Sequence, residues 1–283
     1  MLWQIQQRTI DLTDRGHIMG ILNVTPDSFS DGGSFVDVDS AVARALEMVS
    51  QGATIIDIGG ESTRPGAQPV NEADELARVL PVIRALRQVS QVLISIDTMK
   101  SAVAAAAVAE GVEIINDVSG FRDAGMRSVT ARAGAGCVVM HMQGEPRTMQ
   151  HQPTYNDVVS EVRGFFEQAI AALIRDGVQL EQIVLDPGIG FGKSLEHNQA
   201  LLRSLSSLAV QGRPLLLGVS RKSFLSKVMN DPSLASRSWP TVALTSYARE
   251  QGVRIHRVHE VLPNVQALRM TEAILASDQT STE

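Results

Sequence analysis

Polar and charged side chains recur along this chain at the far ends of short aliphatic runs, and their types suit a flat heterocycle and an anion. Asn23 closes the first run, Asp57 and Glu61 the second, Asp97 the third, and Asn116 with Asp117 the fourth. His141, Asp186, the segment 220–222, and Arg257 with His259 follow in the same way. Asp97, Asn116, Asp186 and Lys222 supply the donors and acceptors that pair with ring N–H, exocyclic amino and ring oxygen or nitrogen atoms. Arg257, His259, Lys222, Arg64 and Asn23 suit a phosphate-like anion, or a metal ion bridging one. A lone Asp ending a strand is about as often only a helix N-cap, and Asp117 and Glu61 suit that duty. The signal is the convergence of so many.

Other chemistries find less support. No two histidines stand four apart with a carboxylate partner, and Cys137 is the single cysteine, so the pattern is not that of a zinc site. His151 and His197 read as surface histidines. Two loops, Thr25 to Gly33 and Gly59 to Gly66, are long for strand-to-helix connections and rich in Gly, Pro, Ser and Asp, as active-site lids often are. A third, Asp186-Pro-Gly-Ile-Gly-Phe-Gly-Lys193, resembles a phosphate loop but lacks the full P-loop spacing, which argues against an ATPase.

These residues must be held by regular elements. Aliphatic runs over His17–Val24, Thr54–Gly60, Val92–Thr98, Glu113–Ser119, Cys137–Met142, Ile183–Pro187, Pro214–Ser220 and Arg254–Glu260 are nearly continuous rather than alternating. Strands buried on both faces of a parallel sheet read this way. Ala41–Gln51, Glu72–Val89, Val158–Arg175 and Val265–Ala276 carry apolar residues three and four apart, the mark of surface helices. Strand and helix alternate, which predicts an α/β protein built as one (β/α)8 TIM barrel, with a doubly wound open sheet as the alternative. Leu2–Gln6 and Thr9–Leu12 suit a short N-terminal β-hairpin closing the barrel bottom. The whole chain, 1–283, reads as one domain, with the barrel proper over about 17–276 and a polar tail.

Composition agrees. With 283 residues, 44% hydrophobic but only seven Phe, two Tyr and two Trp, the core must be mainly aliphatic. A chain of this length buries enough surface to need no disulfide or metal. One cysteine, no apolar run near the roughly 20 residues that span a bilayer, and no signal-peptide pattern in residues 1–12 point to a cytoplasmic protein. A net charge of −6 gives no general attraction for nucleic acid or an anionic membrane.

The motifs themselves resemble one family. Gly20-Ile-Leu-Asn-Val-Thr-Pro-Asp-Ser-Phe-Ser-Asp-Gly-Gly33 and Asp57-Ile-Gly-Gly-Glu-Ser-Thr-Arg-Pro-Gly66 are similar to the two signatures of the dihydropteroate synthases. Ser95-Ile-Asp-Thr98, Ile115-Asn-Asp117, Met140-His-Met-Gln-Gly144, the Asp186 loop, Ser220-Arg-Lys-Ser223 and Arg257-Val-His-Glu260 continue the likeness in order over about 17–276. The resemblance implies a transferase of folate biosynthesis that joins 6-hydroxymethyl-7,8-dihydropterin diphosphate to p-aminobenzoate. It implies that Ile21, Asp97, Asn116, Met140, Asp186, Gly218 and Lys222 hold the pterin. Asn23, Thr63, Arg64, Arg257 and His259 would take the diphosphate, with Mg²⁺ on Asn23. Phe29, Thr63, Pro65, Phe191, Lys222 and Ser223 would form the p-aminobenzoate slot, the sulfonamide target. Asn23, Asp97, Asp186, Lys222, Arg257 and His259 would carry the catalysis, in a homodimer.

The likeness has departures. Arg237-Ser-Trp-Pro-Thr-Val-Ala243 differs from the family's usual run near its subunit interface; Pro240 suits the first position of a helix there. Glu260 stands where Asp is usual, and His256 precedes Arg257. The competing readings are a pterin-dependent methyltransferase and a non-catalytic pterin-binding protein. The first needs no diphosphate grip, and the second predicts damage to Asn23, Lys222 or the Arg257/His259 pair, all of which are present.

Overall fold

A computed structural model describes residues 1–25, 37–63 and 66–277. The expected site residues Phe29, Arg64 and Pro65 lie outside the described residues.

The chain opens on an antiparallel hairpin, β1 (Leu2–Ile5) and β2 (Arg8–Asp11). Eight parallel strands follow: β3 (His17–Asn23), β4 (Ile55–Gly59), β5 (Leu93–Asp97), β6 (Ile114–Asp117), β7 (Gly136–Met140), β8 (Ile183–Asp186), β9 (Leu216–Leu217) and β10 (Ile255–Val258). Their order is β8-β7-β6-β5-β4-β3-β10-β9. The Leu185↔Leu215 bridge and the Leu185 N–H bonded to the Pro214 carbonyl at 3.0 Å join the two ends, so the sheet closes into the expected barrel. β9 is shorter than its aliphatic run because the backbone turns at Val219, whose carbonyl accepts from the Lys222 N–H at 3.2 Å.

Helices alternate with these strands. They are α1 (Val38–Ser50), α2 (Glu72–Val89), α3 (Ser101–Ala109), α4 (Ala124–Ala133), α5 (Val158–Arg175), α6 (Leu195–Arg203), α7 (Ser223–Met229), α8 (Ser238–Glu250) and α9 (Val261–Ser277). α2 and α5 have the expected bounds. α1 begins earlier than its apolar stripe because the Asp37 carboxylate accepts from the Asp39 and Ser40 N–H groups. α8 begins at Ser238, so Pro240 is its third residue rather than its first. The missing N–H still costs nothing there, since the first four N–H groups of a helix have no intrahelical partner.

A period of two along each strand sorts side chains to the barrel interior or toward the helices. The interior floor is apolar: Met19, Ile55, Leu93, Ile114, Val138, Val184, Leu216 and Ile255 cluster there. Trp3, Ile5 and Leu12 of the hairpin plug this floor from below, and the Trp3 indole donates to the Gln182 carbonyl at 2.8 Å. Trp3→Ala should therefore cost about 3–5 kcal/mol of folding stability through the cavity and the orphaned carbonyl. Chemical denaturation checks this, and ligand binding by the folded protein should not change, because the plug lies at the opposite end from the polar residues.

Candidate functional site

The same alternation carries polar residues to the interior one and two layers above the floor. Ile21, Asp57 and Ser95 lie side by side in register, as do Asp97 with Asn116 and Met140 with Asp186. Arg257 binds the two layers together. Its Nε donates to Asp57 Oδ2 and its Nη2 to Asp97 Oδ2, both at 2.6 Å. Asn116 Nδ2 donates to the same Asp57 oxygen at 3.1 Å. Asp186 and Arg257 flank Gly218, where a Cβ would lie 3.8 Å from both Asp186 Oδ2 and Arg257 Cβ. Glycine leaves the barrel mouth open between them.

Lys222 enters from beyond β9. Its ammonium donates to the Ile189 carbonyl and lies 4.4 Å from the centre of the Phe191 ring. Met140 packs with Val118, Met142, Met149 and Phe191 on the β7 side. At the rim, His259 Nδ1 lies 2.9 Å from Ser220 Oγ, which also accepts from the His259 N–H at 3.1 Å. Asn23 ends β3, and Thr63 sits half-buried in the segment after β4. Ser223 opens α7 and is exposed.

Burial sets the electrostatics. It raises Asp97 to about 7, against the pull of Arg257 and with help from Asp57, Glu75 and Asp117. Burial also raises Asp186, opposed by Lys222. Lys222 is lowered to about 8 by burial, which the Asp186 carboxylate opposes. Burial would lower Arg257, but Asp57 and Asp97 outweigh it and hold its proton more firmly. Asp57 Oδ1, Ser95 Oγ and Asp97 Oδ1 are buried without a hydrogen-bond partner among the described residues. Such atoms suit N–H donors from a bound heterocycle.

Lys222 makes the protein's stability depend on pH. Its folded value of about 8 lies below the ordinary 10.5, so between these the unfolded chain holds the proton and the folded protein does not. The penalty for burying the charge is full below pH 8 and is relieved as pH rises to about 10.5. Lys222→Met should therefore raise the melting temperature at pH 7, and the gain should shrink over this window. Calorimetry at pH 7, 9 and 10.5 checks the difference between the two proteins.

Some expected members of the constellation are absent from it. Asp117, one residue past Asn116, faces the helices and caps the following turn, accepting from the Ser119 and Phe121 N–H groups at 2.8 Å each. Glu61 pairs with Lys100 instead of capping a helix. His141 turns away from the mouth, edge-on to Phe165 with ring centres 5.0 Å apart. His197 is not a plain surface residue: it completes a capping box with Ser194 and packs edge-on to Tyr155. Conversely, Asp57 was legible only as a strand-end carboxylate. Its place two residues before Gly59, in step with Ile21, is the signal that it faces inward beneath Arg257.

The opposite end of the barrel holds a cavity of about 740 Å³ lined by Arg8, Arg87, Glu113 and Arg132, among others. Arg87 is already spent there on the Val92 and Gly111 carbonyls and on Glu113. The polar strand ends converge at the other mouth, where barrel active sites lie.

The chain as a whole is similar to known proteins. Residues 19–259 match the family model described as pterin binding enzyme. The chain is 45% identical over 275 residues to dihydropteroate synthase of Escherichia coli K12, covering 97% of this chain and 96% of that one. A Yersinia pestis dihydropteroate synthase solved with a sulfonamide drug superposes with a TM-score of 0.91 at 44% identity, covering 98% of this chain and 100% of that one. A Xanthomonas albilineans dihydropteroate synthase solved with 4-aminobenzoic acid gives a TM-score of 0.90 at 40% identity, covering 98% and 99%.

Proposed function

The chain belongs to the pterin-binding enzymes and, among them, to the dihydropteroate synthases, and from that premise we propose how its barrel mouth carries out the condensation. The reaction joins the amine of p-aminobenzoate to the methylene carbon of 6-hydroxymethyl-7,8-dihydropterin diphosphate. A C–N bond forms, the C–O bond breaks, and its electron pair leaves with diphosphate; the amine's proton passes to solvent or to the departing anion. The observation that carries this reading is the junction of Arg257 with Asp57 and Asp97, which joins the two polar layers, with Asn116 bonded to the same Asp57 oxygen.

Asp97, Asn116, Asp186 and Lys222 read the pterin edge, and Ile21, Met140 and Gly218 shape the space for its faces. As the C–O bond lengthens, positive charge spreads into the electron-rich dihydropterin and negative charge gathers on diphosphate. Arg257 and His259 stabilise the anion, with Asn23, Thr63 and Arg64 completing its grip. An aromatic amine is neutral near pH 7, so no strong general base and no protein nucleophile are required.

Mg²⁺ fits this site as a companion of the diphosphate. Such an ion keeps waters and phosphate oxygens and needs only one or two protein ligands. Asn23 offers one amide oxygen, and no group of three or more His, Cys, Asp or Glu among the described residues can form a protein cage. When bound, the ion neutralises charge on the leaving group.

Phe191, Thr63 and Lys222 are assigned to the p-aminobenzoate slot; Phe29 and Pro65, outside the described residues, keep the role there that the family resemblance implies. Its carboxylate meets Ser223. Because α7 has only seven residues, free N–H groups and the hydroxyl matter more there than a helix dipole. The homodimer face includes Trp239, 76% exposed in the first turn of α8. Arg237 still braces the backbone just before Lys222, donating to the Arg221 carbonyl at 2.9 Å, and Glu260 takes Arg221 Nη2 at 3.0 Å. No helix among the described residues is long and apolar enough to cross a membrane, and buried Cys137 suits the cytoplasm.

His259→Ala tests the division of labour. Affinity for the pterin diphosphate should fall about tenfold, the scale of one charge-assisted hydrogen bond, while affinity for the bare pterin stays within twofold. Calorimetric titration with both ligands decides; equal loss for both would remove His259 from the diphosphate grip.

A further inference from the structure

Lys193 closes the Asp186 loop and is 3% exposed, a rare state for lysine. Among the described residues it has no carboxylate partner. Its Nζ lies 2.9 Å from the Phe191 carbonyl, 3.3 Å from the His141 carbonyl and 3.0 Å from His141 Nδ1. Charged or neutral, the amine carries at least two N–H bonds for those two carbonyls. It therefore ties the end of β7 to the loop after β8.

That loop also lies against its neighbour backbone to backbone, at two glycines. Gly188 and Gly192 have positive φ, and a Cβ would fall 1.9 Å from the His141 carbonyl oxygen at Gly188 and 2.4 Å from the Gln143 oxygen at Gly192. The Tyr155 hydroxyl donates to the Gly192 carbonyl at 2.8 Å. What the loop presents on its other side is the Ile189 carbonyl and the Phe191 ring, the two groups that hold the Lys222 ammonium.

We propose that Lys193 is a positioning residue: by fastening Phe191 to the end of β7, it sets the place of the Lys222 ammonium at the barrel mouth. The inference rests on the reading that Lys222 grips the pterin. Lys193 touches no substrate in this account and acts through Phe191 and the Ile189 carbonyl. Without it the loop loses its buried tie, and the Lys222 ammonium loses a fixed acceptor and ring face.

Lys193→Met keeps the length of the stem and removes the donors. Titration with bare pterin at 25 °C should show affinity about tenfold weaker, since small misplacements of binding groups are costly. In a Phe191→Leu background the same substitution should cost less than twofold more, because both act through one element. A residue that only supports the fold would lower the melting temperature and leave affinity within twofold; that result, or additive losses in the double variant, overturns the inference. Lys193→Gln, which keeps two N–H donors on a shorter stem, serves if the methionine protein does not fold. About threefold weakening that vanishes in the Phe191→Leu background is then expected, and full affinity overturns it. Lys222→Met separates the two claims. Loss there with unchanged binding in Lys193→Met overturns this inference alone, whereas intact binding in Lys222→Met overturns the reading beneath it and this inference with it.

Discussion

Lys222→Met should bind the dihydropterin about 30- to 150-fold more weakly than the unmodified protein, while folding at least as stably at neutral pH. The substitution removes a donor whose partner would be a buried substrate atom, and an unpaired buried group costs about 2–3 kcal/mol. The pairing of opposite effects is the point. Burial pulls Lys222 to about 8, so at neutral pH the charge is held against the cost of its burial. A lysine kept only for structure would give the reverse pattern, with stability falling and binding intact. Titration with bare pterin, beside a melting curve on the same sample, distinguishes them.

Arg257→Met should be the more damaging change. Asp57 is fully buried and Asp97 is 8% exposed, and Arg257 is the guanidinium bonded to both. Removing one partner of such a group leaves uncompensated buried charge, at a cost of about 3–5 kcal/mol. The loss should depend on pH in a defined direction. Asp97 already titrates near 7 with Arg257 present, and its affinity for a proton can only rise without it. A carboxylate whose folded value exceeds its ordinary 3.8 destabilises more as pH rises through that window. The deficit should thus be largest at pH 8 and smaller at pH 5. Adding Asp57→Asn should recover part of it. Turnover should fall about 10²- to 10³-fold even where the protein is folded, because the leaving group loses a preorganised cation. Denaturation at both pH values checks the first part; a variant equally destabilised at pH 5 and 8 would contradict the charge argument.

The architecture was legible because buried parallel strands leave an unmistakable trace. Continuous aliphatic runs such as Glu113–Ser119 and Ile183–Pro187 each contain a barrel strand. Helices showed only where polarity contrasts around the axis. α2 and α5 mix charged and apolar residues and were bounded correctly. α3, Ser-Ala-Val-Ala-Ala-Ala-Ala-Val-Ala, has almost no polar face, so periodicity has nothing to register.

The site was legible as residue types at strand ends, but not as contacts. Pairing Arg257 with Asp57 joins residues 200 apart in sequence, and no local rule reports it. The facing of each side chain was available in principle through the period of two. It separates Asn116, which faces in, from Asp117, which faces out, and Met140 from His141 in the same way. Lys193 read as the end of a phosphate-like loop. Its partner His141 lies 52 residues earlier, and nothing in the loop signals that the amine is buried.

The most direct test is to incubate the purified protein with 6-hydroxymethyl-7,8-dihydropterin diphosphate, p-aminobenzoate and Mg²⁺, and to follow dihydropteroate and free diphosphate together. Equal amounts of both products are expected, formed only when both substrates are present and lost in Arg257→Met. Tight pterin binding with neither product formed would contradict it.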